Sequence, residues 1–263
     1  MASTQTTLSR PRQRRFNASR VLLRHPELGA AVVITAAWVA LLLEAYTSTR
    51  TGGAAAGMPG MGTSPAEPHD AWSPAAGGLP SWVLMTVAMM GPATLGAIGY
   101  TGLNSLRWRR RRAMAEFSVA YLAVWVAFGL LVPAATAVVH GIPGPGALAL
   151  VLTVAAAWQL TPVKRRCLSG CHLGASLPPR GWRAEKGALR FGLRNGLYCL
   201  GTCWCLMLVM VAAPGGQLLW TAGLTGVITA ERVVSRPRST TRAVAVMLLF
   251  AAFAALATGN LLQ

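Results

Sequence analysis

The sequence predicts an all-α fold, a polytopic bundle of about seven transmembrane helices, and three observations carry that expectation. Hydrophobic residues fill 54% of the 263 positions and charged residues only 12%, against about a quarter charged in an ordinary soluble domain. The apolar residues gather into runs that match a hydrocarbon core about 30 Å thick, at about 1.5 Å per helical residue. The charge is grouped rather than scattered: 24 Lys and Arg stand against seven acids, for a net charge of +17, and the arginines cluster between the apolar runs. Membrane proteins fix their orientation with such clusters. A nucleic-acid groove would interleave its arginines with polar and aromatic residues, so the bilayer is the expected partner and no nucleic acid is.

Taken in order, the apolar runs place spans at 27–46, 81–103, 117–140, 147–163, 196–213, 217–234 and 243–262. Several contain Gly, Pro or Trp, which membrane helices tolerate better than soluble ones. Spans three and four form a hairpin closed by residues 141–146, and spans five and six form another closed by 214–216. With the N-terminus in the cytoplasm, the inner segments hold 23 of the 24 Lys and Arg, and only Arg50 falls outside. This asymmetry predicts the N-terminus inside and the C-terminus outside a bacterial plasma membrane.

The organisation expected is a basic cytoplasmic tail over 1–26, a first span or signal anchor over 27–46, an outer loop over 47–80 and a six-span membrane domain over 81–263. The first apolar run exceeds a usual signal core and follows a long basic segment, which favours an uncleaved anchor; cleavage would leave six spans in the same orientation. The outer loop is rich in Gly, Ala, Pro and Ser and reads as a flexible excursion. It carries Met58 and Met61, then His69 and Asp70, a set able to capture copper but more often ordinary loop residues.

Sulfur is distributed unusually. Cys167, Cys171 and His172 lie in the segment CLSGCH at the inner end of span four; Cys199, Cys203 and Cys205 lie inside span five. None of the five cysteines falls in the outer loop, so no extracellular disulfide framework is expected. Helical spacing puts Cys199, Cys203, Met207 and Met210 on one face of span five, with Cys205 pointing elsewhere. In span two, Met85 and Met89 share a face and Met90 stands beside them. Thiolate and thioether sulfur are soft donors that favour Cu(I) over Mg or Ca. Taken singly, each of these residues is explained as well by packing, since Met and Cys are at home in apolar surroundings.

Two ligand sets stay open. The thiols of Cys167, Cys171, Cys199 and Cys203 could form a tetrahedral zinc or iron–sulfur site, although C-x₃-C is not the usual zinc spacing. Two thiolates with Met207 or Met89 would suit Cu(I) better. Polar residues near span ends, Glu44, Gln159 and Glu231, are candidates for buried function, with Glu231 beside Arg232 read first as an interfacial pair. The basic stretch 164–194 suits an anionic leaflet, and Gly192 with Gly196 forms a GxxxG contact spacing. No enzyme is expected: there is no nucleotide-binding loop, no paired carboxylates within a span, no Ser–His–Asp set and no C-x-x-C thiol pair.

The segments SWVLMTVAMMGP, WQLTPVKRRCLSGCH and GLRNGLYCLGTCWCLMLVM, followed by Glu231–Arg232, together resemble a bacterial domain-of-unknown-function family of predicted metal-binding integral membrane proteins, whose members are often labelled copper chaperones. The resemblance covers about residues 81–259, with the pieces in the right order. The family pattern has adjacent cysteines in a segment like YCLGCCW; here Thr202 stands at the first of that pair, Cys203 is kept and Cys205 is extra. Arg232 stands where the family more often has Lys. The resemblance implies a copper-binding membrane protein, with Met85, Met89 and Met90 as outer thioether donors, Cys199 and Cys203 as tighter inner ligands, and Cys167 and Cys171 in support. A copper-requiring membrane protein would be its client. A metal transporter and a metal-free assembly scaffold are the competing expectations.

Overall fold

In the computed structural model, residues 27–55, 78–140, 146–171, 174, 178, 181–212, 217–233 and 237–261 are described, and every regular element among them is a helix. They are α1 (Leu28–Ala55), α2 (Leu79–Leu103), α3 (Arg110–His140), α4 (Gly146–Leu160), α5 (Pro162–Cys171), α6 (Trp182–Ala212), α7 (Gln217–Val233) and α8 (Pro237–Leu261). The all-α expectation therefore holds. Five of these helices, α1, α2, α3, α6 and α8, are long and apolar enough to cross a membrane, and α4 with α5 makes a sixth when the pair is taken as one broken span. The sequence reading of about seven adds α7, a short helix of 17 residues.

The boundaries differ from expectation at two places, each for a physical reason. The fourth span does not end near residue 163: it bends by 69° between Leu160 and Pro162 and continues as α5. Pro162 fixes the break, because proline lacks the N–H that an unbroken helix needs and biases the preceding residue away from helical angles. Thr161 then caps the new helix, its Oγ1 accepting from the Lys164 backbone N–H at 3.3 Å, the usual N-cap arrangement. The fifth span begins at Trp182, not near 196. Within 182–195, Ala184, Ala188 and Phe191 are buried while Arg183, Lys186, Arg190 and Arg194 are exposed, so the second half of the basic stretch is the exposed face of one long helix, while Lys164 at its start is buried in α5. At 31 residues, α6 is about 46 Å long and overruns the hydrocarbon thickness. Its first turn is tied to α3 by Glu185, which accepts from Arg112 at 2.8 Å.

Residues 56–77, with Met58, Met61, His69 and Asp70, lie outside the described residues; before them α1 continues past residue 47 to Ala55.

The bundle is assembled around α6, which packs along α3 and also meets α4, α5 and α7; α4 lies along α8, and α2 sits between α1 and α3. Small residues allow the α3–α6 approach. A Cβ on Gly192 would strike the Phe117 backbone carbonyl, and one on Gly196 would press on Val124, as the GxxxG spacing anticipates. Helix α2 contains Pro92, which cannot donate to the carbonyl of Ala88 four residues earlier. That acceptor is met from outside the helix: Trp38 Nε1 of α1 donates to the Ala88 oxygen at 3.0 Å. In an apolar medium an unmet carbonyl would be costly.

The glycine packing gives the first test. Gly192→Val should destabilise the protein by about 1–3 kcal/mol or prevent folding, because the obstacle is backbone that cannot swing aside. Gly223→Ala, where a Cβ meets nothing within 4 Å, should leave the midpoint of thermal unfolding in detergent within a degree or two of the parent, at an expected cost of only a few tenths of a kcal/mol or less. Equal midpoints for the two variants would contradict close packing at Gly192.

Candidate functional site

The sulfur stripe of α6 faces the core. Cys199, Cys203, Met207 and Met210 are each at most 1% exposed, and Met85, Met89 and Met90 of α2 are fully buried. Four helices converge on the two thiols. Cys199 Sγ lies 3.7 Å from Met90 Sδ and accepts from the Tyr121 hydroxyl of α3 at 3.0 Å. Cys203, one turn on, lies 3.2 Å from the Thr202 hydroxyl. Thr202 also donates to the Cys199 carbonyl at 2.8 Å. From α7, Arg232 comes within electrostatic range of Cys199, Cys203, Cys171 and Tyr121.

The second cysteine pair is adjacent but turned differently. Cys167 and Cys171 on α5 are half-buried. Cys167 leans on Gly201, where a Cβ would sit 2.7 Å from its sulfur; Gly201 is a residue between Cys199 and Cys203. Cys171 accepts from Arg232 Nη2 at 3.4 Å. The kink at Thr161–Pro162 is what carries α5 across the inner stripe instead of past it.

Among the described residues, no three His, Cys, Asp or Glu side chains converge as a metal-holding group. The four-thiol zinc or iron–sulfur arrangement is therefore not formed among them: Cys167 meets Gly201 and Cys171 meets Arg232, while Cys199 faces Met90 and Tyr121 and Cys203 meets Thr202. The thiol–thioether contact that forms is that of Cys199 with Met90, one of the three α2 methionines expected as donors. Met85, Met89 and Met207 belong to the same buried cluster. Met210 receives the Thr221 hydroxyl at 3.5 Å. Cys205 is buried at 2% exposure on the other side of α6, within electrostatic range of Lys164. His172 lies outside the described residues.

Near the thiols lies a charged cluster in which Gln159 and Glu231, candidates by sequence, are joined by Lys164, which was not expected there. Lys164, fully buried, donates to both carboxylate oxygens of Glu231 at 2.9 and 2.8 Å and also to Gln159 Oε1. Glu231 and Gln159 are 2% and 1% exposed. Glu231 thus pairs with Lys164 of α5 and not with its neighbour Arg232, because successive helical residues point about 100° apart. The cluster joins α4, α5 and α7 and aims Arg232 at the cysteines. Nothing in the sequence links Lys164 to Glu231, 67 positions away; Tyr121 was equally invisible.

The family described as PpoB2: Copper chaperone matches this chain over residues 79–255, more than half of its length. No curated protein and no solved structure matches.

The ion pair yields a prediction by double substitution. Lys164→Met alone should cost about 3–5 kcal/mol, because it strands the buried Glu231 carboxylate; Lys164→Met with Glu231→Leu should recover most of that loss. Unfolding midpoints in detergent check this. A double variant no better than the single would argue against the pairing.

Proposed function

As the chain belongs to the copper chaperone family described as PpoB2, we propose that it is a plasma-membrane protein that binds Cu(I) and hands it to a copper-requiring client. The observation that carries this reading is the buried contact of the Cys199 thiol with Met90 Sδ at 3.7 Å, with the buried Cys203 one helical turn on. Copper is here the cargo. Two thiolates and a thioether make a soft, low-coordinate donor set that suits Cu(I) and offers little to Mg or Ca. Cys199 and Cys203 hold the ion; Met90 closes the third side; Tyr121 and Thr202 orient the sulfurs.

Cys167 and Cys171 act as the exchange step. They are half-buried where the inner pair is fully buried, and Cys167 touches the turn that carries the inner pair. Metal moves between soft ligands by exchange without leaving sulfur, so a partly accessible pair beside a closed pair serves loading or release. The remaining methionines of α2, Met85 and Met89, extend the thioether path along the same helix. The membrane is crossed seven times, with the N-terminus cytoplasmic and the arginine clusters inside. The chain works as a carrier and not as an enzyme.

A second reading, movement of the ion across the bilayer, is favoured by one feature: the 69° break between α4 and α5. Interrupted helices that line a site are common in transporters. Metal-dependent uptake into liposomes separates the two; a carrier protein gives none.

The deciding measurement is metal content after purification in detergent from copper-supplemented cells. The parent should hold about one Cu(I), as expected for a single soft-donor site, and Cys199→Ser/Cys203→Ser should hold little while remaining folded. Unchanged stoichiometry and affinity in the double variant would overturn the assignment. No copper in either protein, even after titration under reducing conditions, would make the stripe packing and favour an assembly scaffold.

A further inference from the structure

Arg232 presents a physical problem. It is only 9% exposed, and a buried guanidinium normally has an anionic partner. Its neighbour Glu231 is committed to Lys164. Among the described residues Arg232 forms no salt bridge; its contacts are the Ala93 carbonyl at 3.1 Å and the Cys171 sulfur at 3.4 Å. Its Nε is buried with no partner. A charge so placed points to an anion that arrives when the site fills.

The groups around it say which anion. Cys199, Cys203, Cys171 and Tyr121 all lie within electrostatic range of the guanidinium, and the buried pair beside it is already neutral overall. When a monovalent thiophilic cation binds Cys199 and Cys203, two S–H bonds break, two protons leave to solvent and two metal–sulfur bonds form, with no change of oxidation state. The resulting bis-thiolate complex carries one negative charge. Next to Arg232 the filled site is then neutral. A divalent ion on the same two thiolates gives an uncharged complex and leaves the guanidinium uncompensated in a low-dielectric interior, where that difference is amplified.

We infer that Arg232 is the built-in counter-charge of the site and sets its preference for monovalent over divalent thiophilic cations. This rests on the copper-binding reading above and adds what selects the ion. Arg232 acts through charge and through its fork, one arm held by Ala93 of α2 and the other by Cys171 of α5, so it is a positioning residue and need not touch the metal.

The test uses full-length protein in detergent under reducing conditions, titrated separately with Ag(I) as the redox-inert stand-in for Cu(I) and with Cd(II), each against a competing chelator. Arg232→Gln should lose about thirtyfold or more in Ag(I) affinity, the usual scale for stranding one member of a buried charge pair, with Cd(II) affinity unchanged or improved. Arg232→Lys, which keeps the charge, should retain the parent's Ag(I)-to-Cd(II) ratio. An unchanged ratio in Arg232→Gln, with Ag(I) binding still abolished by Cys199→Ser/Cys203→Ser, would overturn the counter-charge and leave the copper site standing. Should Arg232→Gln fail to fold, Arg232→Met takes its place in the same titrations: a lowered Ag(I)-to-Cd(II) ratio supports the inference, and the parent's ratio overturns it. Absence of Ag(I) binding in the parent would sink both readings.

Discussion

The buried ion pair between Lys164 and Glu231 is the interaction on which the rest of the arrangement depends. Removing two charges from water is expensive, and a pair so placed survives only when geometry and supporting hydrogen bonds are good. Here one ammonium meets both carboxylate oxygens and a glutamine carbonyl. Its value lies less in net stability than in registration. Lys164 belongs to the first turn after a proline break, Glu231 to a short helix, and Gln159 to the helix before the break. None of the three would be well placed by apolar packing alone. Once the pair is made, α7 has one rotational setting, and that setting delivers the next residue, Arg232, to the cysteines.

Under the proposed copper-binding function, a membrane interior would change the ordinary ligand arithmetic of the sulfur cluster. A metal with thiolate ligands must be charge-balanced in a medium that penalises any residue of charge. Soluble sites leave that to water and salt. On the reading proposed above, Arg232 is a cation held in advance, on a different helix from the thiols, with a tyrosine hydroxyl and a thioether beside Cys199. Four separate helices, α2, α3, α6 and α7, contribute to a space around one turn of α6.

Much of this architecture could be read before any coordinates. Apolar runs and grouped arginines identified a membrane bundle, because hydrocarbon thickness constrains composition so strongly. The spacing of Cys199, Cys203, Met207 and Met210 correctly placed them on one buried face, since helical period is a local property. What failed was what depends on several elements at once. The bend at Pro162 was absorbed into a continuous span, since membrane helices also accommodate proline. The start of α6 was set too late because its first turns are basic on one side only. Glu231 was matched with its chain neighbour for want of any sign of Lys164. Which of the expected methionines meets a thiol turns on the rotation of α2 against α6, and spacing alone left Met85, Met89, Met90 and Met207 all open where Met90 makes the contact.

One small contact reaches further than its size suggests. The family match begins at residue 79, so α1 stands outside the shared unit, yet Trp38 of that helix supplies the hydrogen for the Ala88 carbonyl freed by Pro92. Ala88 immediately precedes Met89 and Met90. The outermost helix is therefore a brace on the methionine turn, and not solely an anchor. A version of this unit without α1 must quench the same oxygen by other means, with a water or another side chain, and the looseness of that substitute would set how firmly Met90 is presented to the thiols. A segment outside the family match would in this way tune the grip of the site proposed above.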